Sequence, residues 1–140
     1  MDTSPKAAIL PANWAGSRQR ARTRKIARLM TIVPDRMQAA VVTAPGAITV
    51  ETQPMPQPGA GQVRLRLEGC GVCASNLTPW SGPEWMKFPT EPGGLGHEGW
   101  GTVDAVGPEV DGLAVGDRVA ALTYHAYATH DIAEADAVVK

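Results

Sequence analysis

The sequence predicts a mainly β fold, in which short strands and short helices form a partly open barrel. Gly (15) and Pro (12) are abundant in a chain of 140 residues, which favours turns and short strands over long helices. Residues 62–68 alternate between apolar and charged side chains, the period of a strand with one buried face. Short apolar segments separated by turn residues recur at similar spacing along the rest of the chain.

The strands are predicted from apolar or alternating segments that are bounded by Pro, Gly or charged residues. Besides residues 62–68, they are expected at 37–44, 47–51, 101–106, 117–122 and 138–139. In the strand at 62–68, the apolar residues are predicted to face the interior and the charged residues to face solvent. The two sets are Val63, Leu65 and Leu67, and Arg64, Arg66 and Glu68.

The segments between the strands are predicted to be mostly irregular. A turn or short helix is expected at 70–77, and a loop rich in Pro and Gly at 78–95. A turn at 108–112 would join the strands at 101–106 and 117–122. Because no segment has a strand–helix–strand pattern, a parallel sheet is not expected.

Residues 1–36 differ from the rest of the chain in charge. They contain eight Lys and Arg residues and two Asp residues, whereas residues 37–140 contain five basic and twelve acidic residues. We predict a disordered basic N-terminal extension, or sequence upstream of a start at Met37, followed by one domain at 37–140. An Arg-rich transit peptide and an arm for nucleic acid or an anionic surface are the alternatives.

Composition and charge exclude several classes of protein. The acidic domain at 37–140 lacks the cationic face that nucleic-acid binding needs. No run approaches the roughly 18 apolar residues of a membrane-spanning helix. Two cysteines three positions apart do not form a disulfide framework, and no apolar signal sequence is found. These features predict a cytoplasmic protein that binds neither nucleic acid nor membrane.

Two short motifs carry little information alone. Residues 94–99 fit the dinucleotide fingerprint G-x-G-x-x-G, but that fingerprint needs a strand before it and a helix after it. Pro- and Gly-rich residues precede it here and a predicted strand follows, so no nucleotide site is expected there. Cys70-Gly71-Val72-Cys73 is a C-x-x-C motif. It lacks the second pair of ligands of a structural zinc site and the fold of a thioredoxin-like redox pair, which leaves packed or solvated cysteines as the simple interpretation.

The informative stretch is residues 96–119, read together with residues 71–77. It contains Gly96-His97-Glu98, then Gly101, Gly107 and Val110, and later Gly116-Asp117-Arg118-Val119. This spacing resembles the zinc alcohol dehydrogenase signature G-H-E-x2-G-x5-G-x2-V and the G-D-R-V strand after it. Residues 71–77, Gly-Val-Cys-Ala-Ser-Asn-Leu, resemble the first zinc-ligand segment of that family, G-V-C-x-[ST]-D. The resemblance covers residues 37–140, the N-terminal catalytic domain of the family.

The resemblance implies a fold, a metal and a role for each matching residue. The fold would be a GroES-like, partly open β-barrel. Cys73 and His97 would be the thiolate and imidazole ligands of one catalytic Zn²⁺. Glu98 would lie beside the metal, either in contact with the ligating residues or as an exchangeable ligand itself. Ser75 would hydrogen-bond the alcohol substrate and start a proton relay.

The activity implied is hydride transfer between an alcohol or aldehyde and NAD(P). A Rossmann domain outside these residues would bind NAD(P) and carry the third zinc ligand, and the full-length protein would be a homo-oligomer. The chain of 140 residues alone is therefore expected to be inactive. Among the remaining candidates, Cys70 is expected to be a packed thiol, and His125 and His130 to be surface or packing residues. Trp80 and Trp100 are the aromatic residues expected to meet a substrate.

Two features depart from the family pattern. Asn76 stands where the family has an Asp that supports a ligating His; the amide oxygen can still accept a hydrogen bond, but without charge, which weakens zinc retention. Residues 123–136 contain no cysteine, so the second, four-cysteine zinc lobe of many members is absent. Two alternatives remain open: a zinc-free quinone- or enone-reductase-type domain in which His97 is structural, and a non-catalytic GroES-like remnant or interaction module.

Overall fold

The computed structural model describes residues 34–140, which contain seven strands and one short α-helix. The strands in chain order are β1 (Arg36–Ala44), β2 (Ala47–Pro54), β3 (Gln62–Cys70), β4 (Gly99–Val106), β5 (Arg118–Ala121), β6 (His130–Glu134) and β7 (Val138–Val139). The helix α1 (Leu77–Ser81) follows a 3-10 turn at Ala74–Asn76. β1 begins one residue before the predicted domain start at Met37, and the rest of the predicted extension, up to residue 33, lies outside the described residues.

β1 and β2 form an antiparallel hairpin whose turn contains Gly46. The φ angle of Gly46 is 67°, a left-handed conformation that glycine adopts without steric cost. The other edge of β1 hydrogen-bonds to two loops. The N–H of Gly93 donates to the Ala40 carbonyl at 2.8 Å, and the N–H of Ala40 donates to the Tyr127 carbonyl at 2.8 Å. The hairpin is thereby joined to the loops that surround the candidate site.

The remaining strands form an antiparallel five-stranded sheet in the order β6-β3-β4-β5-β7. The sheet curls into a half-barrel, so the mainly β, partly open barrel predicted from the sequence is confirmed. Val63 and Leu65 of β3 and Val103 of β4 have 0 % of their surface exposed. Burial of each such side chain stabilises the fold by about 1.5–3 kcal/mol. This core fixes the ends of β3 and β4 relative to each other.

The prediction that Arg64 faces solvent is wrong, because only 3 % of its side chain is exposed. Arg64 pairs with Ala105 and the next residue, Leu65, pairs with Val103, so Asp104 is an extra residue on β4. Such a bulge breaks the simple alternation of side chains along a sheet. The guanidinium of Arg64 is satisfied there by the carboxylate of Asp104, at 2.8 Å from Nε.

Two further elements differ from prediction. β6 was not predicted, because its sequence His-Asp-Ile-Ala-Glu opens with two polar residues and its place depends on pairing with β3. The helix expected within 70–77 lies further along the chain, since β3 continues to Cys70 and α1 runs to Ser81, inside the predicted loop. Among the described helices, none has the length and apolar character required to cross a bilayer.

Candidate metal centre

Three potential metal ligands converge where the end of β3 meets the start of β4. Cys70 at the end of β3 pairs with Gly99 at the start of β4. Cys73 follows β3 closely, and His97 and Glu98 directly precede β4, so the strand pairing brings the two segments side by side. The ligand atoms of Cys73, His97 and Glu98 all lie within 4.8 Å of one another.

Main-chain contacts hold these two segments together. The N–H of Gly71 donates to the Glu98 carbonyl at 3.0 Å, and a Cβ at Gly71 would run into the carboxylate of Glu98. Gly96 precedes His97 and packs against the backbone nitrogen of Tyr127, where a Cβ has no room. Position 96 therefore requires glycine because two backbones approach closely, whereas a side chain at position 71 would displace the exposed Glu98 side chain.

The imidazole of His97 is oriented by the carbonyl of Leu95. Nδ1 of His97 lies 3.0 Å from that oxygen. Because a carbonyl only accepts hydrogen bonds, Nδ1 carries the proton, and the neutral ring has its lone pair on Nε2. Nε2 lies 3.3 Å from Oγ of Ser75, which can donate to it. The contact with Cys73 and then the Leu95 carbonyl raise the pKa of His97.

The two cysteines have opposite electrostatic environments. The hydroxyl and then the backbone N–H of Ser75 lower the pKa of Cys73, because both stabilise the thiolate. The thiolate is the form that binds metals. Burial raises the pKa of Cys70, whose Sγ donates to the Gly71 carbonyl at 3.3 Å. Cys70 lies outside the cluster of three ligand atoms.

Asn76 is buried beside the ligands but does not support His97 directly. Its Oδ1 accepts from the N–H of Cys73 at 3.0 Å and from the hydroxyl of Tyr127 at 2.9 Å. Its Nδ2 donates to the Leu95 carbonyl at 2.8 Å. The amide oxygen thus accepts hydrogen bonds, as expected from the sequence, but its donors are Cys73 and Tyr127. Tyr127 was missed by the sequence argument, since its contact with Asn76 joins residues 51 positions apart.

A groove of about 350 Å³ opens beside His97 and Glu98. Most of its other side chains are apolar: Trp100, Ala120, Ala121, Leu122, Ala137 and Val139. Trp100, one of the two aromatic residues expected near a substrate, packs over Gly69 and is 43 % exposed. Trp80, the other, lines a separate apolar cavity of about 590 Å³. Of the two, Trp100 is thus the residue that shares a groove with His97 and Glu98.

The other two histidines lie away from the cluster. His125 forms a surface contact, with Nε2 at 3.0 Å from Oε2 of Glu91. His130 is buried, and its Nε2 lies 3.6 Å from Oδ2 of Asp104. Both agree with the expectation of surface or packing roles.

Residues 94–99 lack the surroundings of a dinucleotide site. They run through a turn into β4, so a strand rather than a helix follows the glycines. Without a helix N-terminus, the backbone does not form the anion site of that fingerprint.

A curled antiparallel half-barrel of this kind is found in the medium-chain dehydrogenases, a class of oxidoreductases. The alcohol dehydrogenase GroES-like domain family matches residues 59–137, and the chain belongs to this family. The expected GroES-like fold is therefore confirmed.

Individual relatives extend this result. Human sorbitol dehydrogenase is 42 % identical over 81 residues, which are 57 % of this chain and 23 % of that protein. The chain thus spans less than a quarter of the length of this relative. A mycobacterial quinone oxidoreductase superimposes with a TM-score of 0.61 at 34 % identity, over 74 % of this chain and 33 % of its own. A mycobacterial protein solved with NADPH superimposes with a TM-score of 0.61 at 35 % identity, over 74 % and 32 %.

Proposed function

We propose that this domain carries the catalytic zinc site of an oxidoreductase that transfers hydride between an alcohol or aldehyde and NAD(P). The observation that carries the proposal is the convergence of the ligand atoms of Cys73, His97 and Glu98 within 4.8 Å. The similarity to sorbitol dehydrogenase supports a small-molecule alcohol as the substrate class. The similarity to a structure that holds NADPH supports a nicotinamide cofactor, which residues outside this domain would bind.

The donor set fits Zn²⁺. A thiolate, an imidazole and a carboxylate are all zinc ligands, and catalytic zinc sites use three protein ligands and keep one position open. Cys73 and His97 would hold the ion, and the exposed Glu98 would be the ligand that can exchange. When bound, zinc would supply Lewis-acid chemistry that acidifies a hydroxyl and polarises a carbonyl.

Ser75 would move the proton of the substrate. Hydride leaves a carbon readily only when the attached hydroxyl has lost its proton. The Oγ of Ser75 is exposed and lies 3.3 Å from Nε2 of His97, so it reaches the edge of the ligand cluster. Because a hydroxyl both donates and accepts, Ser75 can take up a proton from the substrate while its own proton passes to solvent.

The groove beside the cluster suits the carbon chain of a substrate. Its apolar wall includes Trp100 and Leu122, which are 43 % and 57 % exposed. An alkyl or aryl group that covers these side chains would remove apolar surface from water. It would also leave the reacting carbon next to the edge formed by His97 and Glu98.

A zinc-free reductase-type domain is the second candidate. It is favoured by the similarity to a mycobacterial quinone oxidoreductase and by Asn76 at the position where zinc-dependent members have Asp. In that case the Cys73 and His97 pair would be structural.

Metal analysis of the full-length protein, whose Rossmann domain would carry the third zinc ligand, distinguishes the two candidates. After incubation with ZnSO₄ and desalting, the wild-type protein is expected to retain about one zinc per chain. Cys73→Ser and His97→Ala should each abolish this retention, because a hydroxyl or a methyl group is not a comparable zinc ligand.

Cys70→Ser is the matched control, since it changes the other cysteine of the same C-x-x-C motif and should leave the zinc content unchanged. A wild-type protein that retains no zinc, or equal loss in Cys70→Ser and Cys73→Ser, would refute the zinc proposal.

A further inference from the structure

One buried amide contacts both segments that carry the candidate ligands. Asn76 is 9 % exposed and lies at the junction of the 3-10 turn and α1. Its Oδ1 accepts the Cys73 N–H at 3.0 Å, and its Nδ2 donates to the Leu95 carbonyl at 2.8 Å. Cys73 supplies the thiolate, and the Leu95 carbonyl is the group that fixes the ring of His97. Asn76 therefore links the two ligands through main-chain atoms.

The hydrogen bond from Asn76 holds Leu95 in a backbone conformation that a leucine does not prefer. Leu95 has φ of 76°, the left-handed region that residues with a Cβ disfavour. In this conformation its carbonyl accepts from both Nδ2 of Asn76 and Nδ1 of His97. A disfavoured backbone conformation persists where surrounding contacts hold it, and the hydrogen bond from Asn76 is such a contact.

Tyr127 fixes which way the amide of Asn76 points. Its hydroxyl donates to Oδ1 of Asn76 at 2.9 Å. Two hydrogen-bond donors face Oδ1, and a carbonyl oxygen faces Nδ2. A flipped amide would point its NH₂ group at the two donors and its oxygen at the carbonyl, so only the observed orientation satisfies all three partners. The Tyr127 backbone is itself fixed, because its N–H donates to Gly93 and its carbonyl accepts from Ala40. The network thus extends from β1 to the ligand cluster.

We infer that Asn76 and Tyr127 are positioning residues, which orient the Cys73 thiolate and the His97 imidazole toward one metal ion. The inference rests on the proposed zinc function. Residue 76 reaches the ligating His through the Leu95 carbonyl rather than by direct contact. Here a carboxylate at position 76 would offer the Leu95 carbonyl no donor, whereas an amide satisfies both the carbonyl and the Cys73 N–H.

The test uses Asn76→Leu and Tyr127→Phe in the full-length protein, with two readouts. The first is the zinc dissociation constant from competition with a chelator. The second is the ¹⁵N spectrum of the His97 ring in metal-free protein, which reports the tautomer. Removing groups that support metal ligands typically weakens metal binding by about 10- to 100-fold. We expect this loss for Asn76→Leu, together with a shift of His97 away from the Nδ1-protonated form. For Tyr127→Phe we expect the same changes at a smaller size.

Val103→Ala is the control for lost stability alone. Val103 is completely buried in the core away from the cluster, so this variant should lower the Tm but leave zinc affinity and the His97 tautomer at wild-type values. The inference is wrong if Asn76→Leu keeps both wild-type values, or if Val103→Ala at equal Tm loss weakens zinc binding as much. A wild-type protein that binds no zinc refutes both the proposed function and this inference, whereas unchanged zinc affinity together with an unchanged His97 tautomer in Asn76→Leu refutes the inference alone.

Discussion

Two clusters of ionisable side chains lie on or beside the five-stranded sheet, and they differ in burial and in the partners of their polar atoms. In the first, Arg64 donates to Asp104 at 2.8 Å and to the Pro56 carbonyl at 2.9 Å, and His130 lies 3.6 Å from the same carboxylate. Its side chains are 3 %, 18 % and 8 % exposed for Arg64, Asp104 and His130. In the second cluster, Cys73, His97 and Glu98 lie at the surface or half-buried, with their ligand atoms turned toward one another.

The difference shows how a polar cluster in a small barrel can be structural or functional. Opposite charges in the first cluster satisfy each other, and they hold β3 and β4 together across the bulge at Asp104. In the second cluster the ligand atoms are all electron-pair donors, and its geometry is held from outside by the Leu95 carbonyl, Ser75 and Asn76. Several atoms that can all donate an electron pair to one cation indicate a binding site.

The largest effect is expected from Arg64→Ala, which breaks the buried pair. Loss of the guanidinium leaves the Asp104 carboxylate without its main partner and the Pro56 carbonyl without a donor. Removing one member of a buried pair costs about 3 kcal/mol of the free energy of unfolding. Urea denaturation followed by tryptophan fluorescence measures this loss. Zinc affinity of the folded variant should stay at the wild-type value, because the two clusters are independent.

The double variant Arg64→Met, Asp104→Leu is the control for that interpretation. With both charges replaced by apolar groups, no buried ion is left unpaired, so the double variant should be more stable than Arg64→Ala and within about 1 kcal/mol of wild type. A double variant as unstable as the single one would mean that the guanidinium's own bonds to Asp104 and the Pro56 carbonyl, rather than the cost of an unpaired carboxylate, hold the strands.

A smaller difference is expected between the two thiols in alkylation by iodoacetamide. Ser75 lowers the pKa of Cys73, whereas burial raises the pKa of Cys70, so near neutral pH Cys73 has the larger thiolate fraction. Peptide mass spectrometry over time should show Cys73 modified several-fold faster than Cys70. Ser75→Ala should reduce that ratio, and added zinc should protect Cys73 but not Cys70. Equal rates in the wild-type protein would contradict the assigned environments.

Much of the fold could be predicted because it depends on local pattern. The alternation around Val63 and Leu65 located β3, and turn residues such as Gly46 placed the ends of β1 and β2. What could not be predicted depends on long-range pairing. The burial of Arg64 follows from a bulge at Asp104, 40 positions away, and β6 is a strand because β3 offers it an edge.

The candidate site divides in the same way. Cys73, His97 and Glu98 were found because their spacing and neighbouring glycines carry a motif, and the structure brings these three together. The hydrogen bonds that support these three residues could not be predicted from the sequence. Asn76 was identified as unusual, but its partners Leu95 and Tyr127 lie 19 and 51 positions away and have no motif of their own.

The smallest effect concerns His130 in the buried cluster. Burial lowers its pKa below 6.5, and the Arg64 and Arg66 guanidiniums add to this against the opposing Asp104 carboxylate. Because the unfolded chain then takes up this proton more readily than the folded one, the stabilisation is present above pH 6.5 and is lost as pH falls from there toward the folded pKa. We expect the wild-type free energy of unfolding to fall more steeply between about pH 7.5 and about pH 5 than that of His130→Gln, because glutamine binds no proton in this range. Urea denaturation of both proteins at each pH measures the two slopes, and contributions common to both proteins cancel in their difference. Parallel slopes would show that His130 has the same pKa in the folded and unfolded chains, although only 8 % of its side chain is exposed.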